Sequence, residues 1–156
     1  MNDGNFQNYF VDRGLDMKHR VMLSICGRQA YEDQEPDKIE LMTEGTMELK
    51  DGAWEISYEE TELTGMAGVT TTFRVEPGTV TLRRTGKLRS EMVFQQGIRH
   101  ESLYQLDFGA LLMAVTAKQV YFDIVPDGGV IDIVYSIEIE NNAAGLVDYH
   151  LDIRAK

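Results

Sequence analysis

From Lys18 onward apolar and polar residues alternate with a period of two, the spacing of half-buried strands rather than helices. "RVMLSICG" sets Val21, Leu23, Ile25 and Gly27 on one side. "IELMTEGTMEL" sets Ile39, Leu41, Met47 and Leu49 on one side and Glu40, Glu44 and Glu48 on the other. "AWEISYEETE" then aligns Trp54, Ile56 and Tyr58, and the alternation continues through "FRVEPGTVTLRR", "KLRSEMVF", "IRHESLYQL", "VYFDIVPDGGVIDIVYSIEIE" and "LVDYHLDI", with turn residues between them. "FGALLMAVTAK", Phe108 to Lys118, has the Ala, Leu and Met content of a short helix, but its place among strands favours a strand. About nine or ten short antiparallel strands would leave two raw edges in an open sheet, and closure removes them. The expected fold is therefore all-β: a single antiparallel meander β-barrel over residues 18–156. Residues 1–17 follow no period and are expected to form an N-terminal arm, flexible or loosely docked.

Turn lengths test the sidedness, because residues opposed in a hairpin must share a face. A two-residue Asp51-Gly52 turn opposes Leu49 to Trp54, Met47 to Ile56, Gly45 to Tyr58 and Thr43 to Glu60. A turn through Pro77 and Gly78 opposes Val75 to Val80, Phe73 to Leu82 and Thr71 to Arg84, and a Thr85-Gly86-Lys87 turn opposes Arg84 to Leu88. A three-residue turn of Gln95, Gln96 and Gly97, with Gly97 in the left-handed position, opposes Phe94 to Ile98, Met92 to His100, Ser90 to Ser102 and Leu88 to Tyr104. The joined registers make an inner row of Glu60, Thr71, Arg84, Leu88 and Tyr104, in which the pairing of Glu60 with Thr71 is assumed, since the loop between them sets no register.

Charge and composition narrow the function classes. A net charge of −11 opposes loading onto a polyanion, so nucleic acid is not an expected partner. The one basic run, "RRTGKLR" at Arg83 to Arg89, reads as a solvated hairpin end. No apolar run is long enough to span a membrane, and the first residues lack a secretory signal pattern, so no membrane partner is expected and the cytoplasm is the default location. Cys26 is the only cysteine, which excludes an internal disulfide and any cysteine-based zinc site. His19 and His150 read as solvated, and neither a metal nor a cofactor is expected.

The inward polar residues Tyr58, Glu60, Arg84, His100 and Tyr104 form the candidate site. In one reading Arg84 holds a carboxylate or phosphate, the tyrosines line apolar walls and donate hydrogen bonds, and His100 responds to ligand charge, which makes the barrel a small-molecule binding module. In the alternative, Glu60 and Arg84 form a buried ion pair that closes one end, leaving a protein-interaction or structural module with an acidic outer face. A third reading makes His100 and Glu60 the acid and base of a hydrolase or isomerase. The chain contains no G-x-S-x-G, H-E-x-x-H or Walker loop, which weighs against an enzyme, and no catalytic residue is assigned. Met66, between Gly65 and Gly68, is placed to cover the mouth if its loop caps the barrel.

The succession "IELMTEG", "ISYEETELTGMAGV", "LRRTG", "MVFQQGIRHESLYQLDFG" resembles the YwiB-like proteins of bacteria, a family of unknown function. The resemblance runs from about Val21 to the carboxyl terminus and implies a lipocalin- or calycin-like barrel. The family's recurrent residues fall on Gly45, Tyr58, Glu60, Gly65, Arg84, Gly86, Phe94, Gly97, His100, Tyr104 and Gly109. "YQLDFG" departs from the family pattern, which has a threonine and an aromatic before the glycine. No activity is implied.

Overall fold

The computed structural model describes residues 18–31 and 35–156, and the N-terminal arm expected from the sequence lies outside them. The described residues form β1 (Lys18–Ala30), β2 (Asp37–Lys50), β3 (Ala53–Glu59), β4 (Val69–Glu76), β5 (Thr79–Gly86), β6 (Ser90–Phe94), β7 (Arg99–Leu106), β8 (Gly109–Val125), β9 (Gly128–Ile139) and β10 (Asn142–Ala155), with one 3-10 turn at Glu62–Thr64. The order across the sheet is β6-β5-β4-β3-β2-β1-β10-β9-β8-β7. Every ladder is antiparallel. The last strand returns beside the first, and β6 and β7 remain as the two margins. Those margins meet where Arg89 and Gln105 exchange backbone hydrogen bonds of 2.9 and 2.8 Å, giving a nearly closed barrel. Among the described residues no helix is long and apolar enough to cross a membrane.

Alternation builds the core as the sequence expects. Val21, Leu23, Met47, Ile56, Val80, Ile131 and Leu151 have no exposed surface, and each such side chain contributes about 1.5–3 kcal/mol by leaving water. The segment Phe108–Lys118 is strand, as expected, except Phe108 itself, which lies in the turn that precedes β8. A bulge at Lys118, where Ala117 faces Tyr135 and Gln119 faces Val134, changes which residues point inward. Before it Met113, Val115 and Ala117 are buried, and after it Ile124 is.

Several registers hold and several are corrected. Leu49 faces Trp54 and Met47 faces Ile56, while Val75 faces Val80, Phe73 faces Leu82 and Thr71 faces Arg84. The β2–β3 ladder ends at Thr46 and Ser57, so Gly45 with Tyr58 and Thr43 with Glu60 do not pair. At Gly45 the β3 backbone comes so close that a Cβ would lie 2.4 Å from the Ser57 carbonyl oxygen. Beyond that point β2 follows β1 as far as Asp37 and β3 follows β4, so the wall parts.

Glu60 faces Val69, through a 2.9 Å backbone bond, instead of Thr71, and Thr71 faces Tyr58. Arg84 faces Ser90 instead of Leu88. The chain cannot turn at Thr85 because β5 stays paired with β4 as far as Gly86 and the Lys87 amide donates to the Gly68 carbonyl. Both errors are slides of two residues, which preserve the face.

The β6–β7 hairpin differs more. Gly97 takes the left-handed conformation expected of it, with φ 80°. Its amide donates to the Ala117 carbonyl on β8 at 2.8 Å, and Gln95 bridges Ile98. The tip therefore leans onto β8, and the expected pairs of Phe94 with Ile98, Met92 with His100, Ser90 with Ser102 and Leu88 with Tyr104 do not form.

Candidate functional site

The end of the barrel where the β2–β3 wall parts opens into a cavity of about 300 Å³. Its lining includes Ile25, Leu41, Tyr58, Glu60, Thr64, Met66, Arg84, Tyr104, Met113, Tyr135, Ile137, Val147 and Tyr149. Four of the five sequence candidates, Tyr58, Glu60, Arg84 and Tyr104, come together here.

Tyr58 ends the inward set of β3 and is buried. Its hydroxyl lies 3.4 Å from that of Tyr149 on β10, whose ring packs on Phe73 at a centroid distance of 5.6 Å. Burial pushes the Tyr58 phenol up to about 12; the Tyr149 hydrogen bond and the Arg84 charge pull it down, and the Glu60 charge adds to the rise. Burial likewise raises Tyr149 well above the ordinary phenol range, with the neighbouring Tyr58 adding to it. Tyr135, stacked at 4.6 Å on Phe94, is pushed up to about 12 by burial against the lowering effect of Arg84. These phenols stay protonated and can donate hydrogen bonds at neutral pH.

Glu60 follows β3 and is only 6% exposed. Its carboxyl is held from two sides. The Thr71 hydroxyl donates to Oε2 at 2.6 Å. The Thr64 hydroxyl lies 3.0 Å from Oε1 and 3.0 Å from the Thr61 carbonyl, dividing its single hydrogen between them. The 3-10 turn delivers Thr64: Thr61 caps it by accepting from the Leu63 amide at 3.2 Å, and Gly65 ends it with φ 75°. The same loop brings Met66 to the cavity wall, as the sequence anticipated for a residue at the mouth.

Arg84 projects inward from β5 opposite Thr71. Its Nε is buried without a hydrogen-bond partner, and the side chain makes no ion pair with any described residue. The buried Glu60–Arg84 pair weighed from the sequence does not form. The basic run is divided by the pleat: Arg83, on the outer face, lies 3.7 Å from the buried Glu55, which also binds Arg74 at 2.6 Å. Lys87 and Arg89 are exposed at the β5–β6 connection, as expected of a hairpin end, so only Arg84 of the run turns inward.

Tyr104, half-buried on β7 opposite Leu111, closes the far wall. His100 lies elsewhere. It faces Val115 near the hairpin tip, half-buried, with Nε2 at 2.7 Å from Gln95 Oε1, and it is not part of the cavity lining. The slipped β6–β7 register separates it from Met92 and the other candidates.

Sequence reasoning does not reach Tyr149, Tyr135 and Thr64, and it places Thr71 in the inner row without giving it a role. Tyr149 was accessible to it, since His150 read as outward and its neighbour must then face in. Ser90, opposite Arg84, has a buried hydroxyl without a partner and also went unnoticed.

A family model described as "Domain of unknown function (DUF1934)" matches residues 23–153. The chain is similar to the "Uncharacterized beta-barrel protein YwiB" of Bacillus subtilis (strain 168), with 26% identity over 124 residues, covering 79% of this chain and 86% of that protein. The crystal structure of the ywiB protein from Bacillus subtilis matches with a TM-score of 0.81 at 21% identity, over 94% of this chain and 99% of that one. That likeness establishes a shared fold.

Proposed function

The chain belongs to the family described as a domain of unknown function, DUF1934, and from that premise we propose that its barrel binds a small organic molecule through an anionic group held by Arg84. The observation that carries the reading is the unpaired guanidinium. A cation beside a largely apolar cavity costs free energy unless something compensates it, and no described residue does. Glu60 and Asp37 line the same cavity and neither forms an ion pair with Arg84; Glu60 is instead bonded by two threonine hydroxyls. A carboxylate or similar oxyanion would receive charge-assisted hydrogen bonds from Arg84 and further donation from the protonated tyrosines. The apolar walls would take the rest of the molecule. At about 300 Å³ the cavity is at the small end of ligand pockets, which favours a compact guest.

Isothermal titration with a panel of small aryl and alkyl carboxylates and their matched neutral amides tests this. The acids should bind at least tenfold more tightly than the amides, and Arg84→Gln should remove that preference while leaving the thermal melting transition cooperative. Equal affinity for acids and amides, an Arg84→Gln variant that binds as wild type does, or no binding across the panel would overturn the reading.

A further inference from the structure

Arg84 and Glu60 line one cavity without touching, and Thr71 stands between them. Its Cα faces that of Arg84 across the β4–β5 ladder, while its hydroxyl donates to Glu60 Oε2 at 2.6 Å. Glu60 lies one step nearer the open end, since it faces Val69 and Val69 faces Gly86. The bonds from Thr71 and Thr64 use one acceptor site on each carboxyl oxygen, leaving each with further capacity.

The cavity therefore presents a donor-only cationic group and an acceptor-rich carboxyl on one lining, in weakly polar surroundings. A guest with an anion alone would satisfy Arg84 but bring like charge towards Glu60, and a guest with a cation alone would do the reverse. In a low-dielectric pocket either mismatch counts against binding. A guest that satisfies both carries both charges.

Resting on the reading of Arg84 given above, we propose that the barrel binds a zwitterion of amino-acid type, its carboxylate on Arg84, its ammonium on Glu60 and its apolar portion against Met113, Ile137 and Val147. The tyrosine rings beside Glu60 suit an ammonium group, which is attracted to aromatic faces. The cavity volume of about 300 Å³ fits a single amino acid or a molecule of similar size better than a long-chain lipid.

The test is isothermal titration of wild type, Glu60→Gln and Arg84→Gln with three kinds of probe: L-phenylalanine and L-leucine, their N-acetyl derivatives, which lack the cation, and their decarboxylated amines, which lack the anion. For wild type the amino acids should bind at least tenfold more tightly than either set of derivatives. Glu60→Gln should erase the advantage over the N-acetyl acids and Arg84→Gln the advantage over the amines. Glu60→Asp, which withdraws the carboxyl by one methylene, should weaken the amino acids specifically and serves if Glu60→Gln does not fold. If the N-acetyl acids bind as tightly as the amino acids and Glu60→Gln changes nothing, the zwitterion inference falls while anion binding at Arg84 stands. If none of these probes binds wild type, this inference falls, and the carboxylate panel separately decides the role of Arg84.

Discussion

The Thr71 hydroxyl donates a 2.6 Å hydrogen bond to Glu60 Oε2, a neutral partner for a buried acid on the wall that also carries Arg84. Arg84, across the β4–β5 ladder from Thr71, has a buried Nε without a partner, where the sequence alone allowed a closed ion pair. Removing the hydroxyl with near-conservation of shape should be costly. Thr71 is fully buried, so Thr71→Val deprives a buried carboxyl of a donor, and urea unfolding should show a loss of roughly 1–3 kcal/mol. Thr71→Ser, which keeps the donor, should recover most of the effect attributable to the hydrogen bond.

The cavity phenols predict an alkaline limit. Tyr58 and Tyr135 are pushed up to about 12 and Tyr149 well above the ordinary phenol range. The unfolded chain releases these protons near pH 10 while the folded chain retains them. Between those values the folded state binds more protons, so stability is complete below about pH 10 and falls as pH rises, by up to about 1.4 kcal/mol per pH unit for each phenol. Denaturant melts at pH 8 to 12 should show that decline beginning near pH 10. Tyr58→Phe should make it shallower.

Gly86 holds the loop that carries Thr64 and Met66 to the cavity. Its φ is 108°, and a Cβ there would lie 2.2 Å from the Gly68 carbonyl oxygen. Gly86→Ala must therefore shift the β3–β4 loop and strain the backbone, at a cost of roughly 1–3 kcal/mol. Methyl NMR should register the displacement at Met66 while Met47, buried in the core on β2, keeps its position.

Two leucines separate core from rim. Leu23 is fully buried and Leu63 is 84% exposed. Leu23→Ala should destabilise the barrel by about 2–5 kcal/mol, whereas Leu63→Ala should stay within about 0.5 kcal/mol. Parallel urea titrations of the two variants check the contrast.

The barrel was legible in the sequence because one face of nearly every strand is buried, so side-chain alternation writes the inner face directly into the order of residues. Arg84 and Glu60 lie inward as expected although Glu60 and the β6 side of Arg84 have other partners than expected, since a slip of two residues leaves the face unchanged. His100 fared differently because its position depends on how the barrel closes. The Gly97 amide bonds to Ala117 on a strand 20 positions further along, and no local turn rule reports such a contact. The bulge at Lys118 was hidden for a related reason: it inverts sidedness after a stretch, Ala110 to Val115, in which apolar residues follow one another without alternation. The parting of β2 from β3, which creates the opening, depends on the approach of the Ser57 carbonyl to Gly45. A glycine in a strand pattern suggests such an approach without specifying its partner.

Anion binding in the barrel requires that Arg84 face the cavity unpaired until a guest arrives. Nitrogen-15 NMR of the arginine Nε–H groups tests it most directly, with the Arg84 signal assigned by its loss in Arg84→Lys and followed during titration with a small organic carboxylate. The expected result is an Nε–H without a carboxylate hydrogen bond in the ligand-free protein that shifts saturably as the acid binds. An Arg84 signal already bonded to Glu60 before titration, or unmoved while the acid binds, would contradict it.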